Sequence, residues 1–472
     1  MATPLAHSRA WGDPVTPRVL FVSGSGNGNT LRYRVRYPEQ LLRSTGVSTA
    51  AVHFSDPQLE AWAEDADAVV LYRTPASRRV LHLVEHVRTR LRRPLAFDID
   101  DLVFRPEHVD HVPFLQDLPE KRRELFAADA RRRARVVPFV DAVTGSTRPV
   151  VEDLQRLSTA PATVLPNGLT TTALALADAA RRETAPGVVR IGYFSGSATH
   201  DEDWAVVEPT IVDLLRRDPR VQLWLVGPLR PSPGLDEVEH RVVRLPSVPW
   251  QELPALLASV DINVAPLDLT PFTEGKSAIK WLEAAVVRTP TIATATRPFV
   301  DATADGDDVV LVPGGGDWAE PLARLVDDAA LRTHLGERAR ASALARFGPD
   351  VQAERYRAWL DGLLAPGPVD VDLAELRSRA AEEPRSASLG LPLEPYAFPA
   401  TDAALTWPAP RGATTLDRVR TASRASARQT VRYYKGVRRR VRRVLGTAPP
   451  VTQVDAGSAA PGSGRPDPRS KT

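Results

Sequence analysis

The stretch Pro271-Phe-Thr-Glu-Gly-Lys-Ser-Ala-Ile-Lys-Trp-Leu-Glu-Ala-Ala285 comes soon after the apolar segment Asp261-Ile-Asn-Val-Ala-Pro266. This order predicts a strand, a polar turn and a helix. The free N–H groups and the dipole at a helix start favour an anion there, Lys276 can add a point charge, and the Ser277 hydroxyl can cap the helix or bond an oxygen. The Glu283 carboxylate is suited instead to sugar hydroxyls. An ordinary capped helix is the alternative, and these residues alone do not decide between the two.

Outward from this stretch, short apolar runs alternate with amphipathic segments such as residues 80–91. Continuous apolar strands interleaved with helices are typical of parallel sheets covered on both faces. The predicted strands fall in two groups: 18–23, 50–54, 68–72, 94–99, 142–146 and 162–166, then 188–194, 221–227, 241–245, 261–266, 289–293 and 309–312. The sequence therefore predicts an α/β protein with two doubly wound domains that face a shared cleft.

The composition excludes several classes of protein. The chain has 472 residues, 43% hydrophobic and 25% charged, and a formal net charge of +3. This charge is too small to indicate nucleic-acid binding by the whole chain. The absence of cysteine excludes a disulfide framework and thiolate chemistry. Residues 1–17 lack the apolar run of a signal peptide, and no apolar run is long enough to span a membrane, so we expect a cytoplasmic protein.

The first predicted strand leads into a glycine-rich turn, Ser23-Gly-Ser-Gly-Asn-Gly-Asn-Thr30. Gly24 and Gly26 would let the backbone approach a ligand, and Arg32 and Arg34 could meet phosphate. The spacing is not the G-x-G-x-x-G of a dinucleotide site, so NAD binding is not indicated. A flexible turn before a solvated basic helix is the alternative.

Carboxylates end the fourth predicted strand in Phe97-Asp-Ile-Asp-Asp101. Asp98, Asp100 and Asp101 would lie at the cleft edge, where neighbouring carboxylates can serve as a base or bind a metal. Capping of the next helix is an equally good interpretation.

The second domain opens with the small-residue turn Ser195-Gly-Ser-Ala-Thr-His-Asp-Glu-Asp203. Gly196, Ser197 and His200 in this turn are candidate ligand contacts, since small residues permit close phosphate approach. Trp250 could offer an aromatic face to a nucleobase, or it could be an ordinary core residue.

These motifs carry a family resemblance. Residues 18–360 resemble a GT-B glycosyltransferase with two Rossmann-like domains, and the second domain resembles family GT4. The matching segments are 196–203, 248–253, 261–267, 276–284 and 343–348. The family's two glutamates stand eight positions apart, whereas eight positions before Glu283 is Gly275, next to Glu274.

The resemblance implies that Glu283 binds the donor ribose, and that Glu274 or the backbone near Lys276 takes over the role of the first glutamate. It implies transfer of a sugar from a nucleotide-diphosphate sugar with retention of configuration, without a cofactor or a bound metal. The predicted catalytic residues are Asp98, Asp100, Glu274 and Lys276, and Lys280 joins the substrate-binding set. The acceptor would be a cell-envelope glycan or a lipid-linked sugar. A nucleotide-sugar epimerase and a non-catalytic binding or scaffold protein are the alternatives.

The chain is predicted to divide into a disordered start (1–17), an acceptor domain (18–165), a nucleotide-sugar domain (166–345), a returning helix (346–365), a Pro-rich linker (366–410), a basic amphipathic helix (411–446) and a disordered tail (447–472). Residues 416–445 are rich in arginine and carry Tyr434, Val437 and Val441 at helical spacing. Such a helix is typical of contact with an anionic membrane surface, here the inner face, and nucleic-acid binding or a solvated run of charges are the lesser alternatives.

Overall fold

The computed structural model describes residues 16–25, 28–116, 118–181, 186–196, 200–230, 233–365 and 371–383. The first sheet contains six strands, β1 (Arg18–Ser23), β2 (Ser48–His53), β3 (Ala68–Tyr72), β4 (Leu95–Ile99), β5 (Ala142–Gly145) and β6 (Ala162–Val164). All pair in parallel, in the order β2-β1-β3-β4-β5-β6. The order reverses direction between β1 and β3, so ligands are expected beyond the carboxyl ends of those two strands.

The second sheet also has six parallel strands, β7 (Val189–Phe194), β8 (Val221–Val226), β9 (Val242–Leu245), β10 (Ile262–Ala265), β11 (Thr291–Thr294) and β12 (Val310–Val312). Their order is β12-β11-β10-β7-β8-β9. Here the direction reverses between β7 and β10. The predicted phosphate turn follows β7 and the predicted lysine turn follows β10, so both belong to this switch point.

Helices cover both sheets. They are α1 (Gly28–Leu31), α2 (Tyr37–Ser44), α3 (Leu59–Glu64), α4 (Arg78–His86), α5 (Pro113–Gln116), α6 (Glu120–Val136), α7 (Arg148–Gln155), α8 (Thr171–Ala179), α9 (Asp201–Ala205), α10 (Glu208–Arg217), α11 (Leu253–Ala258), α12 (Ile279–Ala285), α13 (Arg297–Ala302), α14 (Ala319–Asp327), α15 (Ala329–Phe347), α16 (Pro349–Leu364) and α17 (Leu373–Glu382). The described residues also contain two π-helical segments (Arg32–Arg36, Val87–Leu91) and four 3₁₀ segments (Pro106–His111, Val137–Phe139, Pro233–Arg241, Thr273–Gly275).

The first sheet is buried on both faces, which explains its unbroken apolar strands. Leu20 and Val22 of β1 belong to the core on one face, and Val19 and Phe21 belong to the core on the other. Side chains alternate across a strand, so a strand covered on both sides needs apolar residues at successive positions. The prediction of two doubly wound α/β domains is confirmed.

Two helices after the second sheet return to the first domain. In α16, Tyr356, Leu360 and Leu363 join the core beside β1 and α2. Helix α17, within the segment predicted to be a linker, buries Leu376 and Ala380 in the core that contains α4. The predicted domain boundaries remain predictions, and the predicted basic helix at 411–446 lies outside the described residues. Among the residues that the structure describes, no helix has both the length and the apolarity needed to cross a membrane.

Candidate active site

Charged side chains converge at the switch point of the second sheet. Nζ of Lys276 donates to Oδ2 of Asp203 at 3.2 Å, and Nδ1 of His200 lies 2.7 Å from the same oxygen. The other oxygen of Asp203 accepts from the backbone N–H of Asp268 at 3.0 Å. Burial opposes ionisation, but the hydrogen bond from His200 and the charges of Lys276 and Lys280 hold the pKa of Asp203 well below its usual range. We call Lys276, Lys280, His200 and Asp203 the lysine cluster.

Lys280 is the unusual member of the lysine cluster. Its Nζ is buried without a hydrogen-bond partner and lies 4.5 Å from the ring centroid of Tyr193. Burial lowers the pKa of Lys280 to about 8; Asp203 opposes this shift and Lys276 adds to it. Burial, with the charge of Lys280, also lowers the pKa of His200 to about 4, so this imidazole is neutral at pH 7. At neutral pH the cluster therefore holds two ammonium groups and one carboxylate, an arrangement that attracts an anion.

Glu283, one turn beyond Lys280 on α12, contacts the first domain. Its Oε1 accepts hydrogen bonds from Arg32 at 2.7 Å and from the hydroxyl of Tyr33. The Arg32 guanidinium stacks over the Tyr33 ring at 4.2 Å and lies 5.2 Å from the ring centroid of Trp250. Glu283, the predicted ribose contact, and Trp250, the predicted nucleobase contact, thus both lie against Arg32. Arg32 begins a π-helical segment, a distortion that often marks functional sites.

Arg34 and Asp98 form a buried ion pair inside the first domain, with 1% and 5% of their side chains exposed. Nε of Arg34 donates to Asp98 Oδ2 at 3.0 Å, and the hydroxyl of Thr144 donates to Oδ1 at 2.6 Å. Arg34 also donates to the carbonyl of Leu165 at 2.5 Å. The two charges therefore satisfy each other and tie β4 to the connection between the domains.

Asp100 and Asp101 share Arg73, at the switch point of the first sheet. Nε of Arg73 donates to Asp100 at 2.5 Å, and Nη2 donates to Asp101. The hydroxyl of Tyr72 also donates to Asp100, at 3.0 Å. Burial raises the pKa of Asp101, the Asp100 carboxylate raises it further, and Arg73 and Lys276 oppose these effects. Asp101 is thus electrostatically coupled to the lysine cluster of the second domain.

The family comparison bears on the lysine cluster directly. A family model for "Glycosyl transferases group 1" matches residues 190–328, which contain the cluster and most of the second sheet. Residues 190–328 are therefore similar to a glycosyltransferase group 1 domain. No curated protein matches the sequence.

Solved structures resemble the chain over about three quarters of its length. Sucrose-phosphate synthase from Thermosynechococcus elongatus aligns with a TM-score of 0.56 at 16% identity, over 74% of this chain and 99% of that one. HepE from Anabaena, in complex with UDP-glucose, gives 0.51 at 16% identity, over 73% and 99%. A glycosyltransferase from Rickettsia africae gives 0.50 at 12% identity, over 75% and 100%. The predicted glycosyltransferase resemblance, enzyme class and GT-B fold are therefore confirmed.

The structure gives positions for most of the remaining predicted residues of the second domain. Ser277 does not cap α12, whose N-cap is Ala278; its hydroxyl accepts from Nδ2 of Asn167 at 3.0 Å. Glu274 accepts from the backbone N–H of Arg297 at 3.4 Å, at the start of α13. Gly196 is exposed at the end of β7, and Ser197 lies outside the described residues.

In the first domain, Gly24 serves packing between loops. A Cβ at this position would lie 2.2 Å from the carbonyl oxygen of Arg73, and the Gly24 N–H donates to the carbonyl of Tyr72 at 2.7 Å. Only glycine allows the β1 and β3 loops to come this close. Gly26 lies outside the described residues.

Sequence reasoning assigned no role to Arg73, Tyr33 or Asp203. Arg73 adopts a left-handed backbone, with φ of 49°, a conformation that sequence does not reveal for a non-glycine residue. Tyr33 lies between Arg32 and Arg34, the two predicted phosphate contacts, so its position in the sequence could have indicated a role at the site. Among the described residues, no group of three His, Cys, Asp or Glu side chains is arranged to hold a metal ion.

Proposed function

We propose that the protein transfers a sugar from a nucleoside diphosphate sugar to a hydroxyl group of an acceptor. The observation that carries this proposal is the unmatched charge of Lys280 next to Lys276, inside the glycosyltransferase group 1 domain. A diphosphate supplies the negative charge and the hydrogen-bond acceptors that the buried ammonium lacks. The same contact stabilises the diphosphate as it leaves, and such electrostatic stabilisation is often the largest contribution to catalysis.

The nucleoside would lie against Glu283 and Trp250. Glu283 is 20% exposed, and a ribose could share or replace its bonds to Arg32 and Tyr33. HepE, a structural neighbour, was solved with UDP-glucose, which makes a uridine nucleotide the first donor to test.

The acceptor hydroxyl would lie between Asp101 and the lysine cluster. The raised pKa of Asp101 and its electrostatic coupling to Lys276 support it as the group that orients this hydroxyl. Asp100 would act through Arg73, which it shares with Asp101. The acceptor oxygen bonds to the anomeric carbon as the bond to the diphosphate breaks, the hydroxyl proton leaves with the diphosphate, and configuration is retained. The acceptor itself would be a cell-envelope glycan or a lipid-linked sugar at the membrane surface.

Glu283→Gln separates nucleoside recognition from phosphate recognition. We expect the variant to lose about 1.5–3 kcal/mol of UDP affinity, the value of a hydrogen bond to a charged group. Pyrophosphate, which has no ribose, should bind the variant as it binds the parent protein. Isothermal titration calorimetry of the full chain measures both ligands.

Glu337→Gln, an exposed glutamate paired with Arg288, is the matched control and should change neither affinity. A screen of UDP-sugars with candidate acceptors then tests transfer. UDP that does not bind the parent protein, or that binds Glu283→Gln equally well, contradicts the proposed nucleoside site.

A further inference from the structure

A cavity of about 610 Å³ lies beside the connection between the domains. We call it the linker cavity. Its walls come from the connection itself (Pro166 and Asn167), from α7, from the first turns of α12, from α13, and from the junction of α15 and α16. Ligand pockets for small organic molecules have volumes of roughly 300–1,000 Å³, so the linker cavity is large enough for one.

The charged side chains that line the linker cavity are Arg148, Arg346, Arg355 and Asp301. Nε of Arg148 lies 3.3 Å from the Asp301 carboxylate. Arg346 donates to the backbone carbonyls of Ala302 at 2.8 Å and Asp301 at 2.6 Å, so it has no acid partner there. Three guanidinium groups thus face one carboxylate.

Among the three arginines of the linker cavity, Arg355 has the least compensation for its charge. Its Nη1 is buried without a hydrogen-bond partner, and Arg355 forms no ion pair among the described residues. Burial lowers the pKa of Arg355, and the neighbouring charge of Arg346 adds to this effect. A buried guanidinium N–H without an acceptor is costly, and an oxyanion is the partner that its geometry fits best.

Most of the remaining wall of the linker cavity is apolar. Ile279, Leu282, Phe347 and Val351 line the cavity, so a ligand would meet arginines on one side and hydrocarbon on the other. Most small-molecule sites combine a mainly apolar lining with a few polar groups that fix the orientation.

The linker cavity is separate from the lysine cluster. None of Lys276, Lys280, Glu283 and His200 lines it, although Ser277, the neighbour of Lys276, does so together with Ile279 and Leu282. Lys280 lies against the Tyr193 ring and Glu283 bonds to Arg32, so neither charged group of α12 is directed at the cavity.

We propose that the linker cavity binds a small organic anion, whose phosphate or carboxylate head contacts Arg355 and Arg346 and whose apolar body lies against Ile279, Leu282 and Phe347. Both domains contribute walls, so the bound anion bridges them. This site is additional to the donor site and does not depend on the proposed transfer activity.

Calorimetry on the full chain tests the site with three probes that share one ring: phenyl phosphate, benzoate and neutral phenol. We expect one or both anions to bind and phenol not to bind, because the arginines need an oxyanion. The tighter anion identifies the head group. Arg355→Gln should weaken binding at least tenfold, whereas Arg324→Gln, which removes an exposed arginine on α14, should leave it unchanged.

Two further variants locate the probe. Lys276→Gln should leave one anion-binding site per chain, since Lys276 does not line the cavity and its loss affects only an anion held by the lysine cluster. Val351→Trp should weaken binding by filling the apolar part without altering any arginine, and it covers the case in which Arg355→Gln does not fold. Failure of both anions to bind overturns the proposal, as does binding that survives in both Arg355→Gln and Val351→Trp or that is lost in Lys276→Gln.

Discussion

Both sheets place charged groups at strand ends, and in the first sheet one acid is matched by one base. At its edge, Asp98 pairs with Arg34, and Asp100 and Asp101 share Arg73. At the edge of the second sheet, Lys276 and Lys280 share the single carboxylate of Asp203, and the ammonium of Lys280 has no hydrogen-bond partner. The balance of charge at a strand end, rather than the presence of ionisable residues, therefore distinguishes a structural pair from a ligand site.

The physical reason is the cost of desolvation. A buried ion loses its hydration, and only a partner with good geometry restores that energy. Arg34 and Asp98 restore it to each other with two hydrogen bonds. Lys280 has its closest compensation in the Tyr193 ring, a weaker interaction, so a bound anion would gain what the free protein lacks.

The largest effect is expected from Asp98→Asn. The substitution leaves Arg34 buried without its counter-charge, and removing one partner of a buried pair costs about 3–5 kcal/mol. The free energy of unfolding should fall by that amount in urea titrations of the full chain. Asp65→Asn, at an exposed position of the same domain, should leave it unchanged. An Asp98→Asn protein that is as stable as the parent but inactive in transfer would instead give Asp98 a role in the chemistry.

A smaller effect, on affinity rather than folding, is expected from Lys280→Met. UDP binding should weaken by about 1.5–3 kcal/mol, the contribution of a hydrogen bond to a charged group. UDP affinity of the parent protein should also fall between pH 7 and 9, because the pKa of Lys280 is about 8 and only the ammonium form attracts the diphosphate. Lys121→Met, at an exposed position of α6, should alter neither the affinity nor its pH dependence.

The free energy of unfolding should rise with pH in this range, whereas the UDP affinity falls. The pKa of Lys280 is lowered in the folded protein from an ordinary value of 10.5 to about 8, so the unfolded chain binds more protons between these values. The contribution of Lys280 to stability is therefore unfavourable below pH 8 and becomes less so as the pH rises towards 10.5. Lys280→Met should remove this dependence. A variant with parental UDP affinity would mean that the diphosphate binds elsewhere.

The sequence predicted the sheets and the position of the lysines, because both depend on local order along the chain. The unbroken apolar runs predict strands buried on both faces, and Lys276 and Lys280 follow such a strand at a switch point. Which charges are neutralised depends on partners far apart in sequence. Arg34 and Asp98 are 64 positions apart, and Arg32 and Glu283 are 251 apart. No local pattern indicates these pairs, so Asp98 and Lys276 looked alike as catalytic candidates.

The sequence of helix α17 carries a local helix signal inside a proline-rich segment. The segment 366–410 was predicted to be a linker from its prolines. Asp372 accepts from the N–H of Glu375 at 2.9 Å and caps the helix, and the Asp-x-x-Glu spacing of these residues resembles a capping box. Leu376 and Ala380, four positions apart on one face, are the two buried residues. A truncation meant to remove only the tail should therefore end after Glu383.

The smallest effect is expected from Glu152→Gln, which separates charge pairing from burial. Glu152 on α7 accepts two hydrogen bonds from Arg297 on α13, at 2.7 and 2.8 Å, so the pair joins the two domains with geometry as good as that of Arg34 and Asp98. The two side chains, however, are 44% and 45% exposed. Water solvates Arg297 when its partner is removed, and exposed ion pairs contribute little to stability. The hydrogen bond from Arg297 lowers the pKa of Glu152, so any stability that the pair contributes should be lost as the pH falls through that pKa.

We expect no measurable change in the urea midpoint of Glu152→Gln at neutral pH, at either low or high salt. The same is expected for Glu337→Gln, whose pair with Arg288 lies within the second domain. A destabilisation comparable to that of Asp98→Asn would show that pairing matters without burial, and the distinction between the two sheet edges would then need another cause. A loss in Glu152→Gln that Glu337→Gln does not share would instead assign the pair a role in holding the domains together.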